Sequence, residues 1–214
     1  MKKSMIIMPL AMAMMLSGCA LFNRGNKSDN SNSGSNSQQQ SSGSQSGSQS
    51  GSQSGGSAIS LTAESLLGYN GSENVAYDKA YKTNVVDGIA FTYQQIGAYK
   101  SGFAGMQFRN KLSDDTNGTK SNLNNTAAFA SGVQSVQFTW NSGKDTHNNT
   151  NVLKLSFSSN GEFGAGSEVK MLDTVEGNKV YTVTPDNKSF TFLKIEIDDG
   201  FTYSCYWDSI VINF

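Results

Sequence analysis

Hydrophobic side chains at every second position dominate the chain between residues 58 and 214. In one such stretch Leu193, Ile195 and Ile197 alternate with Lys194 and Glu196. A period of two is that of a β-strand with one face in a core and the other in water, so the alternation predicts strands. The same alternation predicts strands at Gly88–Tyr93, Phe103–Arg109, Val133–Trp140, Val152–Phe157, Val180–Val183, Phe190–Ile197 and Ile210–Phe214.

Turn-forming residue pairs separate these stretches. Asn-Gly and Asp-Gly pairs are strong turn signals because their members tolerate a positive φ, and they occur at 87–88, 117–118, 160–161 and 199–200. Only Leu61–Leu67 has the character of a helix, with a start near Thr62. We therefore predict an all-β domain of about eight or nine short strands, which is either a sandwich or a barrel.

A low-complexity segment precedes this domain. From about Lys27 to Ser57 the sequence is almost entirely Ser, Gly, Gln and Asn. Such a segment buries too little apolar surface to offset the entropy of ordering, so we predict a disordered linker. A self-associating Gln-rich tract is the alternative, but aromatic residues are missing and glycine is frequent. A Gly/Ser-rich coil of this length would average roughly 30 Å between its ends and reach roughly 100 Å when stretched.

The beginning of the chain has the order of an export signal. Lys2 and Lys3 precede the apolar run Met5–Met15, which is well short of the ~20 residues that a membrane-spanning helix needs. Small residues then lead to Cys19 in the sequence Leu-Ser-Gly-Cys. This tetrapeptide resembles the lipobox of bacterial lipoproteins. The resemblance implies cleavage before Cys19, a diacylglycerol on its thiol and acylation of its amine; the alternative is an ordinary cysteine after an ordinary signal peptide.

These features divide the chain into a lipoprotein signal peptide at 1–18, a lipidated N-terminus and Ser/Gly/Gln-rich disordered linker at 19–57, and a β-domain at 58–214. Each acyl CH₂ buried in a bilayer contributes roughly 0.8 kcal/mol, so two or three chains on Cys19 would form a durable membrane anchor. We expect a lipid-anchored protein of the cell envelope that faces outward, on the extracellular surface or an outer membrane. Ala20 supports this location because it stands where an aspartate can retain lipoproteins at an inner membrane.

The charge balance argues against a nucleic-acid partner. Loss of residues 1–18 removes Lys2 and Lys3 but no acidic residue, which leaves 14 basic and 17 acidic side chains and a net charge of −3. Nucleic-acid binding normally requires a basic patch. Low charge with abundant Asn, Ser, Thr and Gly is instead typical of an extracellular β-protein.

The cysteine and histidine content restricts the available chemistry. With Cys19 acylated, Cys205 has no partner for a disulfide within the chain, so stability must come from a core. We predict that Cys205 is a small buried residue. A catalytic thiol needs an activating neighbour, and the single histidine, His147, lies in a predicted loop. One histidine and one free cysteine also cannot form a zinc site.

Four segments carry a further pattern: Asp87–Tyr93, Gly105–Arg109, Ser131–Val136 and Tyr206–Ile212, the last with an Asp-x-Ile-x-Ile strand. They resemble surface modules of bacterial proteins that have galactose-binding-like jelly-roll folds. The resemblance implies an antiparallel β-sandwich rather than a barrel, and many such modules bind glycans. In related jelly rolls a structural calcium often joins an early acidic residue to the aspartate that opens the last strand, and Glu64 and Asp208 are the matching positions. Asp208 could equally cap a bend by accepting backbone hydrogen bonds, and we predict no cofactor, with a structural calcium as the alternative.

Aromatic side chains and one cation form the predicted ligand site. A sugar is usually held by an exposed aromatic face with amides and a few charges, and the candidates are Tyr99, Arg109, Tyr206 and Trp207. Strand alternation turns Arg109 away from Phe108 and toward solvent, although an ordinary surface cation would have the same pattern. Tyr206 and Trp207 are adjacent in a strand, so we expect one of the two to face outward.

Other candidate residues have simpler explanations. Trp140 shares its strand face with hydrophobic neighbours and is predicted to lie in the core. The pairs Asp114-Asp115 and Asp198-Asp199, with Glu196 and Asp208, suggest a glycosidase, which needs two carboxyl groups at a defined separation. Both pairs adjoin turn residues, where aspartate is preferred for local hydrogen bonds, so we expect no catalytic residue and no enzyme.

The sequence therefore predicts a cell-surface lipoprotein that displays a non-catalytic β-sandwich binding module for carbohydrate. Its partners would be the membrane, through the lipid anchor, and an extracellular glycan. An envelope module that binds or assembles with another protein is equally compatible with the sequence, and a hydrolase is the third hypothesis.

Overall fold

The computed structural model describes residues 56–101, 103–110 and 118–214, apart from the side chain of Phe103. The predicted signal peptide, the lipidation site at Cys19, most of the predicted linker and Asp114-Asp115 lie outside these residues. The described residues form twelve strands and one short helix. In chain order they are β1 Ala58–Thr62, α1 Ala63–Leu67, β2 Lys82–Val86, β3 Ile89–Gln94, β4 Ile96–Tyr99, β5 Phe103–Arg109, β6 Asn122–Asn125, β7 Ser135–Trp140, β8 Asn149–Ser158, β9 Glu168–Thr174, β10 Val180–Val183, β11 Phe192–Ile197 and β12 Ser204–Asn213.

The strands form two antiparallel sheets. The first has the order β10-β7-β12-β5-β4, with β1 paired to the last half of β12, and the second has the order β2-β3-β6-β11-β8-β9. The eight strands from β5 to β12 have the jelly-roll order, β5-β12-β7-β10 in one sheet and β6-β11-β8-β9 in the other. The predicted antiparallel β-sandwich is therefore confirmed, and β1 to β4 extend its eight-stranded centre.

Every stretch in which the alternation predicts a strand overlaps an observed strand. Two of them, Phe103–Arg109 and Val180–Val183, match to the residue. The total of twelve exceeds the predicted eight or nine because some strands lack hydrophobic alternation. In β6, which reads Asn-Leu-Asn-Asn, the buried Asn125 donates to the carbonyls of Ala127 and Thr191 and accepts from the amide of Leu193. Hydrogen bonds of a buried amide side chain thus help to hold this strand, together with the core contacts of Leu123.

The inner faces of the two sheets enclose one core. Phe138 and Trp207 of the first sheet and Phe91, Leu123 and Leu155 of the second are almost completely buried. At least one of the two residues next to each of them in the strand is polar or more exposed, as a period of two requires. No helix in the described part of the chain has the length and hydrophobicity to cross a membrane.

The two ends of the described domain lie side by side. Ala58 pairs with Asn213 at the end of β12, and the Phe214 amide donates to the Ser57 carbonyl at 2.8 Å. The other end of β12, at Ser204, pairs with Arg109 of β5. Strand β12 therefore runs from the Arg109 end of the domain to the end where the chain enters it, a rise of roughly 30 Å for ten residues.

Candidate functional site

Arg109 and Tyr206 lie on the outer face of the first sheet. Their strand neighbours Phe108 and Cys205 are fully buried, so alternation directs Arg109 and Tyr206 away from the core. Gln107 has the same orientation and is the direct cross-strand partner of Tyr206. The predicted outward orientation of Arg109 is confirmed.

Tyr77, which the sequence did not indicate, connects Arg109 to Tyr99. Its ring lies over the backbone of Gly97 in β4, where any Cβ atom would come within 2.9 Å of a ring carbon. The guanidinium carbon of Arg109 is 4.6 Å from the Tyr77 ring centroid, a cation–π distance, and the Tyr99 centroid is 5.8 Å away. These three residues come from separate parts of the chain. Tyr77 belongs to the segment before β2, Tyr99 to β4 and Arg109 to β5.

A second aromatic side chain extends this arrangement across the sheet. The Tyr77 hydroxyl donates to the Gln107 side-chain oxygen, and the Gln107 amide nitrogen donates to the Tyr206 hydroxyl at 3.3 Å. The Lys144 ammonium lies 5.1 Å from the Tyr206 ring centroid. Burial raises the pKa of Tyr77, with Arg109 acting in the opposite direction, so the Tyr77 hydroxyl stays a protonated donor at neutral pH.

Together these side chains form a continuous polar and aromatic surface, the outer-face row, made of Tyr99, Tyr77, Arg109, Gln107 and Tyr206. Trp140 meets Tyr206 edge to face at 6.2 Å between centroids. The strand residues of the row belong to β4, β5 and β12, and two inter-strand spacings amount to about 10 Å.

A cleft of about 640 Å³ adjoins the Arg109 end of the row. Its described lining combines aromatic and uncharged polar side chains with two basic ones: Arg109, Asn110, Trp140, His147, Asn149, Phe201, Thr202, Tyr203, Ser204 and Tyr206. The Asn110 amide donates to the carbonyls of Asp199 and Phe201 and so fastens the loop before β12. Tyr203 at the tip of this loop is 69 % exposed and meets the buried Phe201 edge to face. The cleft therefore has a supported base and an exposed aromatic rim.

Trp207 is a core residue, and the prediction that it binds ligand is wrong. Its side chain is 0 % exposed, and its ring lies 5.1 Å from Phe138, 5.0 Å from Trp140 and 6.1 Å from Tyr181. Because adjacent strand residues face opposite ways, the outward Tyr206 forces Trp207 inward. Trp140, predicted to lie in the core, is 2 % exposed and forms part of the cleft wall.

Cys205 is the small buried residue that the sequence predicts. It is fully enclosed and its sulfur accepts a hydrogen bond from the Trp207 indole at 3.2 Å. Burial raises the pKa of Cys205 to about 12, so the group is a thiol at neutral pH. His147, by contrast, is exposed on the loop beside the cleft. A buried thiol and an exposed imidazole do not form a catalytic dyad.

Glu196 is engaged in ion pairs on the second sheet. Its carboxylate, 9 % exposed, lies 3.1 Å from Lys194, 3.4 Å from Lys120 and 3.6 Å from Lys154. Burial alone would raise the pKa of Glu196, but these lysines lower it below the ordinary value. A carboxylate held ionised in this way is not suited to donate a proton as a general acid. Asp198 accepts from the Gly200 amide at 2.8 Å, which is the local turn bond expected of it.

Glu64 and Asp208 line the same depression of about 380 Å³, as the resemblance to calcium-binding jelly rolls requires. The Asp208 carboxylate, however, accepts from the Asn141 side chain and, at 3.2 Å, from the Ser142 amide. Within the described residues no three acidic, histidine or cysteine side chains come together. Asp208 thus fastens the bend after β7. Calcium takes six to eight oxygen ligands, of which Glu64 and Asp208 would supply a part, and the calcium that the resemblance implies stays a prediction.

Comparisons with known proteins add two distant structural matches. No protein-family model and no curated protein matches the sequence. One solved structure is a low-affinity xylan binding module, CBM86, from Roseburia intestinalis, with 13 % identity, coverage of 73 % of this chain and 95 % of that chain, and a TM-score of 0.32. Another is the enzymatically active domain of tailspike protein 4 of bacteriophage CBA120, with 14 % identity, coverage of 73 % and 21 %, and a TM-score of 0.34. Scores of this size do not establish a shared fold, so the jelly-roll assignment depends on the strand order alone.

Proposed function

We propose that this chain is a cell-surface lipoprotein whose β-sandwich is a non-catalytic binding module for carbohydrate. The observation that carries the proposal is the outer-face row beside the cleft, in which Arg109 and Tyr206 belong to both. It joins exposed aromatic surface to hydrogen-bonding side chains in one continuous site.

The composition of this site suits a sugar chain. A sugar ring offers an apolar C–H face that stacks on an aromatic ring and hydroxyl groups that need donors and acceptors at its edge. Tyr203 and Tyr206 supply aromatic faces with a polar end, and Asn110, Asn149 and Thr202 supply amides and a hydroxyl. Binding sites in general combine mostly apolar walls with a few placed polar groups. The more polar lining of this cleft favours a hydrated, hydroxyl-rich ligand over a lipid or a hydrophobic peptide.

Binding without hydrolysis is the activity that the lining supports. Retaining and inverting glycosidases both use a pair of carboxyl groups on either side of the bond to be cleaved. Among the described residues that line the cleft none is acidic. Glu196, a buried carboxylate, belongs to the second sheet and is committed to three lysines.

The lipid anchor and linker would present this site away from the membrane. The lipobox-like sequence at Cys19 supports an anchor, and the Ser/Gly-rich segment supports a flexible stalk of roughly 30 Å. The described chain begins beside Phe214, at the opposite end of β12 from Ser204 and the cleft. A stalk attached at residue 56 therefore leaves the cleft at the far end of the sandwich, where a polymer outside the cell can reach it.

A glycan array probed with the full chain in detergent tests the proposal directly. We expect retention by at least one polysaccharide, and we expect Tyr206→Ala to weaken it by about tenfold or more, as loss of a central aromatic contact does. Val169→Ala, an exposed position on the second sheet, serves as the matched control and should bind as the unmodified chain does. Absence of binding to every polysaccharide, together with capture of a stoichiometric protein from native membranes, would replace this proposal with the envelope-protein alternative.

A further inference from the structure

Arg109 is the charged side chain among the described residues that line the cleft. None of these described residues is acidic, although the whole chain has 17 acidic residues against 16 lysines and arginines. Lys144 adds a second cation near the Tyr206 ring. A wall of this composition attracts an anionic group and gives a neutral sugar no additional advantage.

Arg109 differs from the other paired cations of the sandwich. Lys82, Lys120, Lys154, Lys170 and Lys194 each lie within 4 Å of a carboxylate, and every ion pair among the described residues involves one of these lysines. Arg109 is half-buried, and its partner in the described part of the chain is the uncharged side chain of Tyr77. A partly desolvated cation gains most from a charged acceptor, and an anionic group on a ligand would supply one.

The geometry of Arg109 suits a carboxylate. The planar guanidinium group carries five N–H donors, and its fork matches the two oxygens of a carboxylate in a bidentate pair. The contact with Tyr77, 4.6 Å from the guanidinium carbon to the ring centroid, holds the guanidinium beside the cleft, which Arg109 also lines. Pre-orientation of this kind lowers the entropic cost of binding, because the long side chain is already held.

We infer that the cleft selects acidic glycans and that Arg109 binds the carboxylate of a uronic acid unit. This inference rests on the proposed function and specifies its ligand class. The sugar ring and its neighbours would lie against Tyr206 and Tyr203, and the carboxylate would point toward the outer-face row. Lys144 would add a weaker, longer-range attraction at the rim.

The test compares acidic polysaccharides with neutral forms of the same backbone. Polygalacturonate, alginate and hyaluronan are each presented to the full chain in detergent beside their carboxyl-reduced derivatives, at one fixed ionic strength. We expect at least one acidic polymer to bind about tenfold or more tightly than its reduced form, the size of one charge-assisted hydrogen-bonded contact. Arg109→Lys keeps the charge but removes the fork, so binding of the acidic polymer should fall by more than binding of its reduced form, and most of that preference should be lost.

Lys154→Gln, which removes a cation from the second sheet, is the matched control and should keep the preference. Equal binding of acidic and reduced polymers overturns the acidic selectivity but leaves the proposed carbohydrate binding intact. If Lys154→Gln abolishes the preference as strongly as Arg109→Lys does, the preference reflects overall charge, and the assignment of the binding to the cleft is overturned.

If sulfated dextran is retained in preference to every carboxylated polymer, the assignment of a carboxylate as the bound group is overturned. Failure to bind any polymer, acidic or neutral, overturns both this inference and the proposed function.

Discussion

The guanidinium carbon of Arg109, in a strand, lies 4.6 Å from the ring centroid of Tyr77, in a loop, although 31 residues lie between the two in the sequence. The contact orders a long cation at the edge of the cleft and joins it, through the Tyr77 hydroxyl and Gln107, to Tyr206. One aromatic side chain thus connects the two parts of the site that a ligand would touch.

Tyr77→Ala should weaken glycan binding by about two- to fivefold, because a cation–π contact at a half-exposed site is worth about 0.5–1 kcal/mol and its loss frees Arg109. Tyr77→Phe keeps the ring under the guanidinium and should retain most of the affinity. Affinity electrophoresis in gels that contain the bound polysaccharide measures both variants. Equal losses in Tyr77→Phe and Tyr77→Ala would mean that the hydroxyl bond to Gln107, and not the stacking, orders the site.

Gly97→Ala should displace the Tyr77 ring and lower the free energy of unfolding by about 1–3 kcal/mol, the usual cost of an added methyl group in a packed contact. A Cβ atom at this position would lie 2.9 Å from both the ring and the Val75 carbonyl. Gly164→Ala is the matched control, because nothing lies within 4 Å of its Cβ position, and it should change stability by less than about 0.5 kcal/mol. Urea denaturation compares the two, and identical midpoints would contradict the close packing of Tyr77 on β4.

Most of the sandwich follows from hydrophobic alternation, and the exceptions have identifiable causes. Strand β6 was missed because Asn122 and Asn125 are held by side-chain hydrogen bonds, which leave no apolar pattern. Strand β4 was missed because Ile96, Gly97 and Ala98 are buried in succession around an irregular register with β5. In both strands local packing replaces the period of two.

The candidate site was predicted in part. Alternation within β5 correctly turned Arg109 outward, and Tyr99 and Tyr206 belong to the same row. Tyr77 was missed because it belongs to a segment without periodicity and reaches the sheet through a glycine in another strand. Trp207 was assigned to the ligand because the sequence shows that one of two adjacent aromatic residues faces outward but not which one. Which residues of β12 face the core is fixed by the pairing of β12 with β5 and β7.

Substitutions at Trp207 and Tyr203 should separate stability from binding. Trp207→Ala removes a fully buried indole among three aromatic rings and should lower the free energy of unfolding by about 3–5 kcal/mol. Trp207→Phe preserves part of this packing and should bind glycan as the unmodified chain does.

Tyr203→Ala, at a 69 % exposed rim position, should lower the free energy of unfolding by less than about 0.5 kcal/mol but should weaken glycan binding. Thermal melts and glycan binding on the same samples check this, and reduced affinity in a folded Trp207→Phe would contradict it.

Glu196 should make stability depend on pH in the acid range. Its pKa in the folded protein lies below the ordinary value near 4.3, so the ionised carboxylate stabilises the fold above that value. The contribution is lost as the pH falls through the lowered folded-state pKa. Glu196→Gln should therefore lower the free energy of unfolding at pH 7 by about 1–3 kcal/mol, because three lysines lose a shared acceptor. Urea denaturation at pH 7 and pH 3 should show a smaller difference between the two proteins at pH 3; a difference that stays constant would assign the loss to packing.

Cys19→Ser should release the protein from the membrane, because the proposed anchor depends on acyl chains attached to this thiol. One chain alone binds a bilayer only marginally, whereas two or three on one residue hold it durably. Fractionation of cells that produce each form measures the release, and mass spectrometry of the unmodified chain should show an acylated N-terminus at Cys19. Cys205→Ser is the matched control: its side chain is buried in the sandwich, so it should leave the protein in the membrane fraction. A Cys19→Ser protein that stays membrane-bound after washing with high salt would show that something other than a lipid on Cys19 holds the sandwich at the cell surface.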